Sequence, residues 1–168
     1  MKYRIFALFV GLTALLCLPG GPVGPSVVRA QTTPPKISTQ LTLATPKVQR
    51  GRTVTASLVI DIPSCYHLNA HNPISKFALP TKIEVEPPGG MKVGSIVYPR
   101  AIVRRFSFSD DKLGVYENRA VIRFTMTIPP NQAKGKGEIK ARLNYQSCSD
   151  EVCFPPETRE VTVPITIL

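Results

Sequence analysis

Cys148 and Cys153 stand four residues apart near the carboxyl end of the sequence, with Asp150 and Glu151 between them and Phe154, Pro155 and Pro156 directly after. Cysteines this close can form a disulfide, and a disulfide that opens and closes carries two electrons. The same pair can equally be a staple. Chain-entropy reasoning gives so short a closed loop only about 2 kcal/mol, less than a long-range bridge would supply. A domain of this size does not need that, yet staples outnumber redox pairs in exported proteins, so both readings stand. The carboxylates of Asp150 and Glu151 disfavour a nearby thiolate. A reduced pair here attacks poorly at neutral pH until a partner docks with its own reactive cysteine. Tyr145 and Phe154 bracket the loop, where they can cover the sulfurs or serve as ordinary aromatics at the core edge.

Strands must position this loop. Before it, Ile139, Ala141, Leu143 and Tyr145 alternate with Glu138, Lys140, Arg142 and Asn144; after it, Val161, Val163, Ile165 and Ile167 alternate with Glu160, Thr162, Pro164 and Thr166. A period of two is that of a half-buried strand, so the cysteines fall at the joint between two strands. The same pattern recurs over residues 37–43, 54–62 and 120–128, and shorter strands are expected at 82–86, 93–98 and 102–108. Pro63, Pro87–Gly90, Pro99 and Pro129–Asn131 punctuate them. Residues 64–79 lack clean alternation and read as a partly extended crossing followed by loop. Residues 109–114 read as a polar loop with one exposed-looking residue, Leu113. Eight or nine strands, 17 prolines and no helical stripe predict an all-β, immunoglobulin-like two-sheet β-sandwich.

Residues 1–30 carry the marks of a secretion signal: Lys2 and Arg4, an apolar run to Leu18, a Pro19–Pro22 break and a small residue at Ala30, where cleavage is expected. The apolar run is too short for a comfortable membrane span, and no stable membrane insertion is expected. Leu16 occupies the place of the small residue that should precede a lipidated cysteine, which argues against Cys17 as an anchor. Residues 31–36 form a flexible polar lead-in, and residues 37–168 suffice for one domain. The formal net charge of the whole chain is +10, but its Lys and Arg residues are scattered, Arg104 and Arg105 being the only tight pair. With no Trp for base stacking, nucleic acid is not expected as a partner; a solvated basic face suffices. Export permits a lasting disulfide. Of Cys65, Cys148 and Cys153, one is then left over. Cys65, His67 and His71 invite a metal reading, but their spacing matches no known finger or helix pattern, and a free thiol beside two ordinary histidines is the plainer expectation.

The run from Tyr145 to Thr158 resembles the redox motif of the amino-terminal periplasmic domain of the thiol:disulfide interchange protein DsbD family. Further likeness lies at Tyr66–Asn69, Leu79–Thr81, Glu86–Gly89 and Phe106–Tyr116. The resemblance covers most of residues 37–168 and implies an immunoglobulin-like domain that exchanges disulfides without a cofactor. By position, Cys148 and Cys153 become the working pair, with Cys153 the family's usual first attacker. Tyr66, His67, Asn69, Tyr145 and Phe154 would surround it. Phe106, Asp110, Asp111, Leu113 and Tyr116 would lie in or beside a cap over residues 109–115 that moves aside on docking. The implied partners are a thioredoxin-like electron donor and a membrane electron relay, both on separate chains because this sequence stops at Leu168, and periplasmic disulfide-bearing proteins. The aromatic-rich run of some relatives is here Tyr66–Asn69.

The expected function is therefore periplasmic or secreted thiol–disulfide exchange, with oxidoreductase character. The competing expectation is a protein-binding sandwich in which Cys148–Cys153 is only a staple, and a metal chaperone built on Cys65, His67 and His71 is the third. No hydrolytic triad, phosphate loop or paired carboxylates are visible; Asp110 and Asp111 read as solvated loop charges.

Overall fold

The computed structural model describes residues 33–168; the expected signal segment and its cleavage site lie outside them. Twelve strands follow in order: β1 (Ser38–Leu43), β2 (Lys47–Val48), β3 (Thr53–Asp61), β4 (His67–Asn69), β5 (Lys82–Glu86), β6 (Lys92–Val97), β7 (Ile102–Arg105), β8 (Lys112–Glu117), β9 (Arg119–Thr127), β10 (Gly135–Tyr145), β11 (Ser147–Cys148) and β12 (Glu157–Ile167). No helix occurs among the described residues.

Two four-stranded sheets, β1-β3-β9-β6 and β2-β12-β10-β5, make the sandwich. Alternation decides which residues they bury. From the first sheet come Val54, Ala56, Leu58 and Ile60 of β3 with Ala120, Ile122, Phe124 and Met126 of β9; from the second come Ile139, Ala141, Leu143 and Tyr145 of β10 with Ile165 and Ile167 of β12. All belong to one core. Small residues face large ones across the ladder, Ala56 opposite Phe124 and Ala120 opposite Ile60, so bulk is spread through the layer. Each large side chain taken fully from water contributes about 1.5–3 kcal/mol. Pro164 is tolerated because β2 pairs with β12 only at Thr166 and Ile167, leaving that edge free at the proline.

A third sheet, β11-β4-β8-β7, grows from the ends of these strands. β3 and β9 stop at the pair Asp61–Arg119, the Ile62 amide donates to the Asn118 carbonyl at 2.7 Å, and the chain continues into β4 on one side and β8 on the other. Asn118 adopts φ 58°, which closes the β8–β9 turn.

Several expectations change here. The crossing at residues 64–79 contains β4, whose three residues are all buried. The polar loop at 109–114 ends early because β8 begins at Lys112, and Leu113, expected at the surface, is 3% exposed in a small cluster with Phe106 and Val115. β7 stops at Arg105, so Phe106 and Phe108 leave the ladder. Of the lead-in, residues 33, 34 and 36 are exposed and Pro35 is buried.

Candidate functional site

The site is assembled on the third sheet. Cys148 on β11 pairs with His67 on β4, and Ser147 pairs with Leu68. Cys148 is bonded to Cys153, and an isolated antiparallel bridge joins the same two residues. The intervening turn satisfies its own backbone. The Ser149 amide donates to the Val152 carbonyl at 2.8 Å, while Ser149 Oγ accepts from the Glu151 and Val152 amides at 3.2 Å each. Such a serine turn leaves Asp150 and Glu151 exposed at the tip.

Beneath it runs a polar relay. Asn69 Nδ2 donates to Gln146 Oε1 at 3.1 Å, and Gln146 Nε2 donates to the Phe154 carbonyl at 3.0 Å. The Phe154 amide returns to the Ser147 carbonyl at 2.9 Å. Thr81 Oγ1, fully buried, donates to the Asn69 carbonyl at 2.6 Å. These bonds tie both flanks of the disulfide to β4.

The two sulfur-bearing residues differ in access. Cys148 is 0% exposed, whereas Cys153 is half-buried and lines a groove of about 230 Å³ with Asn69, Gln146, Phe77 and Phe108. Phe77 is 80% exposed and Phe108 36%, so the groove has apolar lips.

Aromatic rings stack on β4 at His67. His67 stacks on Phe106 with centroids 4.0 Å apart, and Phe106 stacks on Phe108 at 5.3 Å. Burial holds His67 below the usual histidine range, against the opposing pull of Asp150 and Glu117; it is therefore neutral at pH 7. Arg104 donates two bonds to Glu117, at 2.9 and 3.0 Å, and holds that carboxyl below its ordinary value. Ser107 Oγ donates to the Asp150 carbonyl at 3.0 Å. That bond ties the segment after β7 to the cysteine turn.

The remaining residues expected around the pair divide. Tyr66 is half-buried and sits 6.1 Å from Phe154, ring to ring. Asp111 accepts from Ser75 Oγ at 2.9 Å, while Asp110 is exposed and its carbonyl accepts from Arg105 at 3.5 Å. Leu113 is buried against Phe106 and Val115. Tyr116 and Tyr145 belong to the sandwich core. The Tyr116 hydroxyl accepts from the His71 amide at 3.0 Å, and the Tyr145 hydroxyl donates to Glu157 at 3.1 Å; burial raises both phenols. Gln146, Phe108, Thr81 and Phe77 are not among the site residues expected from sequence, although Gln146, Thr81 and Phe108 fall within the stretches that carry the family resemblance.

Cys65, His67 and His71 are not brought together. His71 stacks on Tyr98 at 3.7 Å and meets the Thr81 carbonyl through Nδ1 at 3.1 Å, while Cys65 and His67 line a different cavity. Among the described residues no group of three or more His, Cys, Asp or Glu is arranged to hold a metal ion.

Comparison with known proteins adds the family. Solved structures similar to this chain include the Neisseria meningitidis DsbD N-terminal domain in its reduced form, at 20% identity over 66% of this chain and 77% of that one, with TM-score 0.45. A complex of the DsbD and PilB N-terminal domains from the same organism gives 20% identity over 79% and 87%, with TM-score 0.48. The N-terminal periplasmic domain of ScsB from Proteus mirabilis gives 10% identity and TM-score 0.50, over 77% of this chain but only 46% of that one. Only the last reaches a TM-score of 0.50, and at 10% identity it bears on fold alone. No curated protein matches. The family model described as thiol:disulfide interchange protein DsbD, N-terminal, matches residues 36–165. With a disulfide at Cys148–Cys153 on an immunoglobulin-like sandwich, the chain takes part in thiol–disulfide exchange and belongs to the DsbD N-terminal domain family.

Proposed function

We propose that this domain is a periplasmic carrier of reducing equivalents, loaded by a thioredoxin-like donor and discharged onto disulfides of other exported proteins. The observation that carries this reading is the unequal access of the pair: Cys148 is sealed and Cys153 borders an apolar-lipped groove. A staple has no need of one sulfur facing a groove.

The donor's thiolate attacks Cys153 Sγ, forming a mixed disulfide and expelling Cys148 as thiolate, which takes a proton. The donor's second cysteine then attacks the mixed disulfide and releases the dithiol. In discharge, Cys153 thiolate attacks a substrate disulfide and Cys148 resolves the adduct, restoring the internal bond. Family membership is the support for the donor class, for a membrane relay supplying it, and for the periplasm; the exported setting agrees with the amino-terminal sequence pattern.

Redox titration with thiol trapping tests the reading. A working pair titrates above about −300 mV, and a value below that makes the bridge structural and the domain a binding module. Single variants sharpen it. Cys148→Ser, which leaves Cys153 free, traps a mixed disulfide with a thioredoxin-like donor, and Cys153→Ser does not. Equal trapping by both would overturn the assignment of Cys153 as the access point.

A further inference from the structure

His67 is a buried titratable group that the exchange steps above leave unused. It stands opposite Cys148 in the β4–β11 ladder and opposite Glu117 in the β4–β8 ladder. Directly opposed residues of antiparallel strands emerge on one face with their Cβ atoms about 4.5–5.5 Å apart, so Glu117, His67 and Cys148 form a row across the sheet. Two observations bear on what the ring does there. Its Nε2 is sealed and has no hydrogen-bond partner while the disulfide is closed, and Cys148 is 0% exposed. Opening the bond creates a new polar group in this sealed place, the Cys148 sulfur, which is a thiolate when expelled and a thiol before it attacks. A sulfur with no exposed surface exchanges its proton through a neighbouring side chain. His67 is placed for that: its Nε2 is sealed, yet the residue also lines an open cavity of about 500 Å³ together with Glu117 and Asp150.

We propose, resting on the carrier reading above, that His67 is the proton-transfer partner of Cys148. In discharge, with the substrate held on Cys153 as a mixed disulfide, His67 takes the proton of the Cys148 thiol and the resulting thiolate attacks Cys153 Sγ. The Cys148–Cys153 bond forms, the Cys153–substrate bond breaks, the substrate leaves as thiolate and takes up a proton, and the imidazolium returns its own to solvent through the cavity. The two cysteines are oxidised and the substrate disulfide is reduced. Loading runs the transfer backwards, the imidazolium protonating the expelled Cys148. Burial keeps the ring neutral at pH 7, the state that accepts a proton. The groups around it are Glu117 from β8, paired with Arg104 from β7, Asp150 from the cysteine turn, and Arg105 and Cys65 along the cavity. Asn69 Oδ1, two residues along β4 on the same face and also without a partner, can accept a bond from the thiol but cannot take its proton.

The test uses the full chain carrying Cys17→Ser and Cys65→Ser, reduced with dithiothreitol and then freed of it. It runs whatever the reduction potential is, and that potential tests the carrier reading separately. One equivalent of 2,2′-dithiodipyridine releases thione in two phases, the first as the mixed disulfide forms, mapped by peptide to Cys153, and the second as Cys148 closes the bond. The leaving group needs no proton, so the second phase reads the deprotonation of Cys148. With His67 as base, that rate should change less than about twofold between about pH 7 and 8, because the ring is already neutral. Unassisted attack by a buried thiol instead rises about tenfold per pH unit. His67→Gln should slow the second phase about 100-fold at pH 7 and give it the tenfold slope. A parent rate that itself rises tenfold per unit would overturn the role without recourse to any variant, so a poorly folded His67→Gln does not shield it; a His67→Gln rate with the parent's slope would overturn it too. A first adduct on Cys148 would overturn the order of access of the pair, and this role with it.

Discussion

The β3–β9 ladder and the β4–β8 ladder are both antiparallel, yet only the second buries polar side chains among its apolar ones. Between β3 and β9, nine consecutive pairs send only apolar side chains inward. Between β4 and β8 there are three pairs, and His67 and Asn69 are buried there beside Ser147 of β11. His67 Nε2, Asn69 Oδ1 and Ser147 Oγ have no hydrogen-bond partner. Each such atom costs about 1–3 kcal/mol, so the cysteine-bearing sheet is held up by the sandwich. Stability and chemistry are separated along one continuous pair of strands.

The strongest way to break this contrast is to remove core volume far from the cysteines. Phe124 is 1% exposed in the main core, and Phe124→Ala should cost about 3–5 kcal/mol in urea unfolding. The reduction potential of Cys148–Cys153 should stay where it was, provided the variant is still folded in the titration. A potential that moved with stability would mean the two regions are one energetic unit.

Gly114 sharpens the contrast from the other side. A Cβ there would lie 2.9 Å from the Asn72 carbonyl and 3.4 Å from Ala101 Cβ. Backbone must yield, and Gly114→Ala should destabilise by about 1–3 kcal/mol. Because β8 lies between β4 and β7, this variant should also shift the potential of the pair, unlike Phe124→Ala.

The same contrast explains what the sequence disclosed. The sandwich strands announce themselves because one face is apolar and one polar, as at Val54–Ile60 and Ala120–Met126. β4 does not, because both its faces are buried and the residues facing Phe106 and Cys148 are polar. Leu113 was misplaced for a related reason: Asp110, Asp111 and Lys112 make its neighbourhood look like loop, while the residues that bury it, Phe106 and Val115, belong to segments whose meeting is tertiary. Gln146 and Thr81 are single polar residues whose role depends on Asn69, 77 and 12 residues away in sequence. The cysteine pair was legible because its chemistry is local; the difference in access between its two members was not.

Removing the disulfide itself should be nearly silent in stability. Cys148→Ser with Cys153→Ser should cost at most about 2 kcal/mol, as for any loop this short, while abolishing exchange with a thioredoxin-like donor. A much larger loss of stability would return the bridge to the role of staple.

The smallest expected effect is the pH response of His67, and its sign follows from burial. In the unfolded chain the ring titrates near its model value of 6.5, while in the folded protein burial holds it lower, with Asp150 and Glu117 pulling the other way. Between those two values the unfolded state binds a proton that the folded state refuses. Stability therefore falls as pH drops from about 6.5 toward the folded value, by no more than about 1.4 kcal/mol per pH unit, and is flat above it. Glu117, held low mainly by its bonds from Arg104, adds its own loss only below its model value of 4.5. The two windows do not coincide, so they can be told apart. Urea midpoints at pH 5, 6, 7 and 8 should decline less on acidification in His67→Gln than in the parent, with the two converging in slope above pH 7. Parallel curves would mean that the stack of His67 on Phe106 accepts a proton without cost, and that the cysteine-bearing sheet is wetter than its packing implies.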